Sequence, residues 1–235
     1  MSITIDTPKC WQDVESVLNA GIDRVILYGP PGTGKTYAGL HYGNVESGAY
    51  RIICNEDMTS ADITGYMKPS GNEWKWVDGQ AVKAWDRGAR VVADEINLAS
   101  GDVLSLMLAM FDTPESAEWE HPETGHIHRP QPGFSVVMTT NVEDMDELPQ
   151  ALKDRFPVAI RIDKPHPSAL MTLSPDLRNA AMASADADGS RRFSMRAFKA
   201  FDTLRKSVDD TDAARLIFGH RSSDILDAIR VESLA

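Results

Sequence analysis

Arg24-Val-Ile-Leu-Tyr28 runs directly into Gly29-Pro30-Pro31-Gly32-Thr33-Gly34-Lys35-Thr36, and this junction decides the fold. A short apolar run that stops at a glycine turn suits a buried parallel strand better than a helix. The eight residues that follow have the spacing of a phosphate-binding loop: a glycine, four residues, then Gly-Lys-Thr. The chemistry needs those residue types. Glycines let consecutive backbone N–H groups turn inward around phosphates, and the following helix presents its positive end. Lys35 then reaches the β- and γ-phosphates, and Thr36 offers a hydroxyl to Mg²⁺. Tyr37, the next residue, completes the nucleotide-binding set. A chance glycine turn is the other reading, and the position between a strand and a helix argues against it.

Working outward, further strands are expected at 50–54, 89–94, 134–140 and 158–162, each separated by a helical stretch or an insertion. That alternation implies an α/β fold with a largely parallel sheet flanked by helices. Upstream, residues 7–20 read as an amphipathic helix with Thr7 and Pro8 at its start, Trp11, Val14, Val17 and Leu18 on one face, and Gly21 at its end. Residues 101–111 place Val103, Leu104, Met107, Leu108 and Phe111 at helical spacing, which reads as a core stripe. From about residue 165 the strand signals stop, and helices follow at 175–185, 194–208 and 222–231. Ser194 caps the second of these, with Met195, Phe198, Phe201 and Leu204 on one face, and the polar stretch 186–190 is the loop before it. The expected organisation is an α/β core over 1–164 and a small helical second domain over 165–235.

The composition is that of an ordinary globular protein, 42% hydrophobic and 25% charged, which excludes fibrous and disordered classes. No stretch has the apolar length of a membrane span, and the start MSITIDTPKC lacks the pattern of a secretory signal, so a cytoplasmic location is expected. Cys10 and Cys54 are too few and too isolated for a disulfide framework or a zinc site. The net charge of −11 argues against a surface that wraps nucleic acid, because phosphate neutralisation requires clustered Lys and Arg.

Three further segments carry candidate chemistry. Arg90-Val-Val-Ala-Asp94-Glu95 is an apolar strand ending in two adjacent carboxylates. Neighbouring side chains at a strand end point in different directions, so Asp94 can serve the magnesium shell while Glu95 faces an attacking water. Val136-Val-Met-Thr-Thr-Asn141 ends the same way. The C-terminal ends of parallel strands line the ligand crevice, which puts Asn141 beside Glu95, where an amide orients water without adding charge. Leu148-Pro-Gln-Ala-Leu-Lys-Asp-Arg155-Phe156 is a helix closing with an arginine before the last strand.

Taken in order, GPPGTGKT, VVADEIN, TTN and ALKDRF resemble the MoxR branch of the AAA+ ATPases, over about residues 25–162. The resemblance implies a P-loop NTPase core with a C-terminal helical lid, ATP as nucleotide and Mg²⁺ as its metal. It makes Asp94-Glu95 the Walker B pair, Asn141 sensor 1 and Arg155 an arginine finger inserted into a neighbouring subunit's site. A surface salt bridge is the other reading of Arg155. Catalysis would then rest on Lys35, Glu95, Asn141 and Arg155.

Asp62-Ile-Thr-Gly-Tyr66 with Glu73-Trp-Lys-Trp-Val-Asp78-Gly79 resembles the branch's helix-2 insert, about residues 56–80. Trp119-Glu-His-Pro-Glu-Thr-Gly125-His-Ile-His128 reads as a β-hairpin like the pre-sensor-1 hairpin, about 117–130, and its three histidines read as decoration of the hairpin ahead of a metal cluster. Arg196, in Arg192-Phe-Ser-Met-Arg196, resembles sensor 2, although Ser-Met stands where the family commonly has proline, and Arg191 and Arg192 compete for the role. The partners implied are further copies of the chain in a hexameric ring and a client protein, often one with a von Willebrand A domain. A nucleic-acid-directed motor is the alternative, and the acidic balance weighs against it.

Overall fold

A computed structural model describes residues 6–187 and 192–233. In order, the chain forms α1 (Lys9–Asn19), β1 (Arg24–Tyr28), α2 (Lys35–His41), β2 (Ala49–Ile53), α3 (Ser60–Thr64), β3 (Gly65–Ser70), β4 (Glu73–Asp78) and α4 (Gln80–Arg87). It continues with β5 (Arg90–Asp94), α5 (Gly101–Met110), β6 (Trp119–Glu120), β7 (Ile127–His128), β8 (Ser135–Thr139), α6 (Gln150–Arg155) and β9 (Val158–Arg161). The last helices are α7 (Pro167–Leu170), α8 (Pro175–Ala185), α9 (Met195–Leu204), α10 (Asp210–Phe218) and α11 (Ser222–Ser233).

Five strands form one parallel sheet in the order β2-β5-β8-β1-β9. The strand that ends in the candidate acids and the strand that enters the glycine loop are therefore not neighbours, because β8 lies between them. The fold is an α/β P-loop fold. Its central strands are buried on both faces, which is why they read as unbroken apolar runs. Helix α2 sits close on the sheet at Gly39, where an added Cβ would lie 3.1 Å from methyls of Val92 and Val137.

Two buried arginines close the opposite end of the sheet. At the start of β5, Arg90 donates to the carbonyls of Gly39, Tyr42 and Asn44 and to the Ser135 hydroxyl, satisfying the last carbonyls around the end of α2. At the start of β1, Arg24 donates to the carbonyls of Phe111 and Asp112 just past α5. Burial pushes both guanidiniums below their usual range.

The expected insertions are hairpins. β3 and β4 pair antiparallel from Gly65↔Asp78 to Ser70↔Glu73, and β6 pairs β7 at Trp119↔His128 and Glu120↔Ile127. Gly125 in the second turn has φ 65°, the left-handed conformation that glycine adopts without penalty. The hairpins share a ring cluster in which His121 packs against Trp76, Trp119 and His128 and faces the Asp78 carboxylate. The three expected histidines thus split: His121 and His128 join the cluster, and His126 lies in the hairpin loop.

The chain divides into two compact units. One gathers residues 13–29 and 35–161, which hold the sheet; the other gathers the chain up to Gln12, Pro30–Gly34 and the chain from Ile162 onward. The second has its own core of Leu170, Leu173, Leu177, Phe198, Phe201, Phe218, Ile225 and Ile229. Ser194 caps α9 as expected, accepting from the Ala197 amide. The three expected helices become five, because α7 and α10 have weak signals. Helix α10 buries two alanines and Phe218, and Asp209 caps it with a short side chain that also reads as loop. Residues 188–190 of the expected loop and Arg191 lie outside the described residues. Among the described residues no helix is long and apolar enough to cross a membrane.

Candidate active site

The C-terminal ends of β1, β5 and β8 bring the predicted residues together. Gly29 leaves β1 with its N–H bonded to the Val142 carbonyl, which ties the start of the loop to the end of β8. Farther along, Gly32 (φ 76°) and Gly34 (φ 109°) hold backbone that side-chain-bearing residues rarely adopt. Pro30 and Pro31 lie between Gly29 and Gly32, and Thr33 between Gly32 and Gly34, with the Thr33 hydroxyl donating to the Pro30 carbonyl. Lys35 opens α2 and is buried, and its ammonium donates to the Gly29 carbonyl at 2.7 Å and to Asn141 Oδ1 at 2.9 Å. Within its unit the loop also packs on the start of α9: a Cβ on Gly32 would lie 2.6 Å from that of Ser194.

Asp94, the last residue of β5, is 5% exposed and surrounded by donors. Its Oδ1 accepts from Thr36 Oγ1 at 2.7 Å and from Thr139 Oγ1 at 2.5 Å. Its Oδ2 accepts from the guanidinium of Arg51, a residue of β2, in a fork of Nε and Nη2. Burial by itself raises this carboxyl's pKa, but the hydrogen bonds from Thr139, Thr36 and Arg51 outweigh it and hold the group below the usual carboxylate range. Asp94 therefore stays ionised at neutral pH. Because Thr36 donates its proton to Asp94, its oxygen lone pairs remain available to a divalent cation.

Glu95 follows with φ 59° and ψ 49°, and no other non-glycine among the described residues has positive φ. A left-handed glutamate costs about 1–2 kcal/mol. Its amide donates to Thr139 Oγ1 at 3.3 Å, and Asn141 Nδ2 donates to its Oε1 at 3.1 Å. Asn141 thus joins the lysine of one strand–loop to the acid of another, which the position of β8 between β1 and β5 makes possible. Thr139 and Arg51 were not among the expected site residues. The signal for Arg51 is a cation inside the otherwise apolar run 50–54, and that for Thr139 is its place two residues before Asn141.

Tyr37 is exposed and stacks on His41. Arg155 ends α6, and its Nε donates to Asp112 Oδ2 at 3.1 Å. Arg196 is exposed on α9 and makes no hydrogen bond or ion pair among the described residues. Arg192 donates to the Asp163 carbonyl. Burial, followed by the charges of Asp94 and Glu95, pushes the Cys54 thiol up to about 12, so it stays protonated and is no nucleophile.

Residues 24–156, more than half of the chain, match the profile of the AAA domain, dynein-related subfamily. An uncharacterized protein of Staphylococcus haemolyticus is 29% identical over 161 residues, covering 65% of this chain and 60% of that protein. One of Staphylococcus aureus strain USA300 is 30% identical over 147 residues, 59% of this chain and 55% of that protein. The chain thus spans less than two thirds of the length of the curated relatives it matches. Among solved structures, NtrX from Brucella abortus aligns with a TM-score of 0.60 at 14% identity, covering 88% of this chain and 52% of that one. The same protein in complex with ATP aligns with a TM-score of 0.56 at 14% identity, covering 89% and 54%. At that identity the likeness concerns the fold.

Proposed function

The chain belongs to the AAA domains of the dynein-related subfamily, and from that premise we propose that it binds ATP on the loop Gly29 to Thr36 and hydrolyses it with Mg²⁺. The observation that carries this reading is the continuous set Lys35–Asn141–Glu95 beside Thr36–Asp94–Thr139, joined by hydrogen bonds of 2.5–3.1 Å. Its donors and acceptors suit a magnesium nucleotide: a buried ammonium, an ionised carboxylate held by a threonine hydroxyl, and a glycine loop in left-handed backbone.

When bound, Mg²⁺ neutralises charge that develops on the phosphates. The roles assigned to the chain's own residues follow from their chemistry. Lys35 leaves Gly29 and Asn141 to pair with phosphate oxygens. Thr36 would ligate the cation, and Asp94, which fixes the Thr36 hydroxyl, would hold the cation's shell. Glu95 accepts the proton of the attacking water, and Asn141, already bonded to Glu95, orients that water. The two acids have different partners, Asp94 the Thr36 and Thr139 hydroxyls and Glu95 the Asn141 amide, which separates the two tasks.

The resemblance to the MoxR branch extends the proposal to a homo-oligomeric ring, a hexamer, in which Arg155 of one protomer completes the site of the next. In this reading residues 165–235 form the helical lid, Arg196 is its sensor 2, and the ring remodels or matures a client protein, one with a von Willebrand A domain among the candidates. The test of the catalytic core is Glu95→Gln. Hydrolysis should fall by roughly 10² to 10⁴ while ATP affinity is kept. Turnover unchanged in that variant would reject the assignment.

A further inference from the structure

The reading of Arg155 as a finger acting in trans leaves open what holds its side chain in position. A terminal arginine on a short helix has rotamer entropy to lose before it can meet a transferred phosphoryl group in one geometry. Asp112 is the group that touches it. Asp112 Oδ2 accepts from Arg155 Nε at 3.1 Å, and Arg155 Nη1 donates back to the Ala151 carbonyl of its own helix at 3.2 Å. The Nη2 group has no partner among the described residues, and the side chain is 36% exposed. Nε and Nη1 are therefore held, and Nη2 is the nitrogen left without a partner among the described residues.

Asp112 is itself held from two further directions. Its Oδ1 accepts from the Thr113 amide at 2.8 Å, and its main-chain carbonyl accepts from Arg24 Nη2 at 2.6 Å. Arg24 is 4% exposed, starts β1, and also holds the neighbouring Phe111 carbonyl at 2.7 Å. The carboxylate thus stands on a rigid support that begins at the strand entering the glycine loop. An incidental surface ion pair would have no such support, and its partners would be free to part.

We propose that Asp112 is the positioning residue of the arginine finger: it holds Nε of Arg155, and with it the plane of the guanidinium, so that Nη2 is kept for the nucleotide of the adjoining copy of this chain. Asp112 touches no reacting atom and acts through Arg155. The inference rests on the trans role assigned to Arg155 above.

The test uses the full chain as Asp112→Asn and Asp112→Ala, with folding checked by thermal unfolding and assembly by light scattering. Asp112→Asn keeps the shape and the Thr113 contact, so it covers the case in which Asp112→Ala fails to fold. Because one misplaced catalytic group can cost up to ~10²-fold, kcat should fall roughly tenfold or more with KM for ATP unchanged. The decisive readout is mixing. Copies with Asp112→Asn keep an intact hydrolytic centre, and copies with Glu95→Gln keep an intact finger, so a one-to-one mixture should hydrolyse ATP faster than the sum of the two alone. A mixture no faster than that sum, or an Asp112→Asn protein with wild-type kcat, overturns the proposal. Mixing Arg155→Ala with Glu95→Gln separates the two layers: no gain there rejects the trans role of Arg155, whereas a gain there without one for Asp112→Asn rejects Asp112 alone.

Discussion

The amide of Asn141 is bonded at both ends, accepting from Lys35 at 2.9 Å through Oδ1 and donating to Glu95 at 3.1 Å through Nδ2. One neutral side chain therefore spans a buried cation and a carboxylate, and it fixes the separation between the candidate phosphate-binding group and the candidate base. A carboxylate in the same place would add a second negative charge beside Glu95; an amide does not.

Replacing Asn141 by alanine should accordingly harm the chemical step more than binding. The expected loss in kcat is roughly 10²-fold, with the dissociation constant for ATP changed by less than about threefold. Steady-state hydrolysis together with calorimetric titration of ATP into the magnesium-loaded protein checks both halves. An equal loss in affinity would make Asn141 a binding residue.

Glu95 carries backbone strain that a glycine would relieve. Glu95→Gly should raise the unfolding free energy of the sheet-bearing unit by about 1 kcal/mol while lowering hydrolysis at least as far as Glu95→Gln does. Glu95→Gln should lower hydrolysis as stated above without that gain, since it keeps the Cβ. Urea unfolding of the three proteins side by side gives the comparison, and equal midpoints for the glycine and glutamine variants would mean that the left-handed backbone stores no energy.

Thr139 donates to Asp94 and accepts from the Glu95 amide. Thr139→Val should destabilise the nucleotide-free, magnesium-free protein by about 1–3 kcal/mol at neutral pH. The folded Asp94 carboxyl lies below its ordinary value of 3.8. The stabilisation linked to its ionised form is therefore complete above that value and is lost as pH falls through the lower folded pKa. The variant, in which the carboxyl loses a donor and its pKa rises toward the unfolded value, has less of this contribution to lose and finishes losing it at a higher pH, so the gap between parent and variant should narrow as pH falls. Unfolding midpoints measured in steps from pH 7 to pH 3 test this, and parallel curves throughout would refute it.

Much of the molecule is legible from local pattern. The strand before Gly29, the carboxylates closing the strand at Asp94, and the polar end of the strand at Asn141 announce themselves because apolar runs and their terminators are written in consecutive residues. Expected and observed strand ends agree within about one residue, and the Ser194 cap is where its short polar side chain suggests. Helix α10 escapes the same reading because alanines fill most of its buried face and give little contrast with the polar side. The ends of the insert hairpin are visible in the motif residues, but the continuous pairing from Gly65 to Asp78 is not.

The sequence alone determined the P-loop class, the order of the motifs and which lysine, two acids and asparagine stand as candidates for the site. Each is a local matter of residue type and spacing. Only the tertiary structure decided that β8 separates β1 from β5, that Arg51 reaches Asp94 from a different strand, that Glu95 adopts a left-handed backbone and that Asp112 holds Arg155. Those features depend on which segments become neighbours when the apolar strands bury one another. Residues 43 positions apart, such as Arg51 and Asp94, carry no local sign of their meeting.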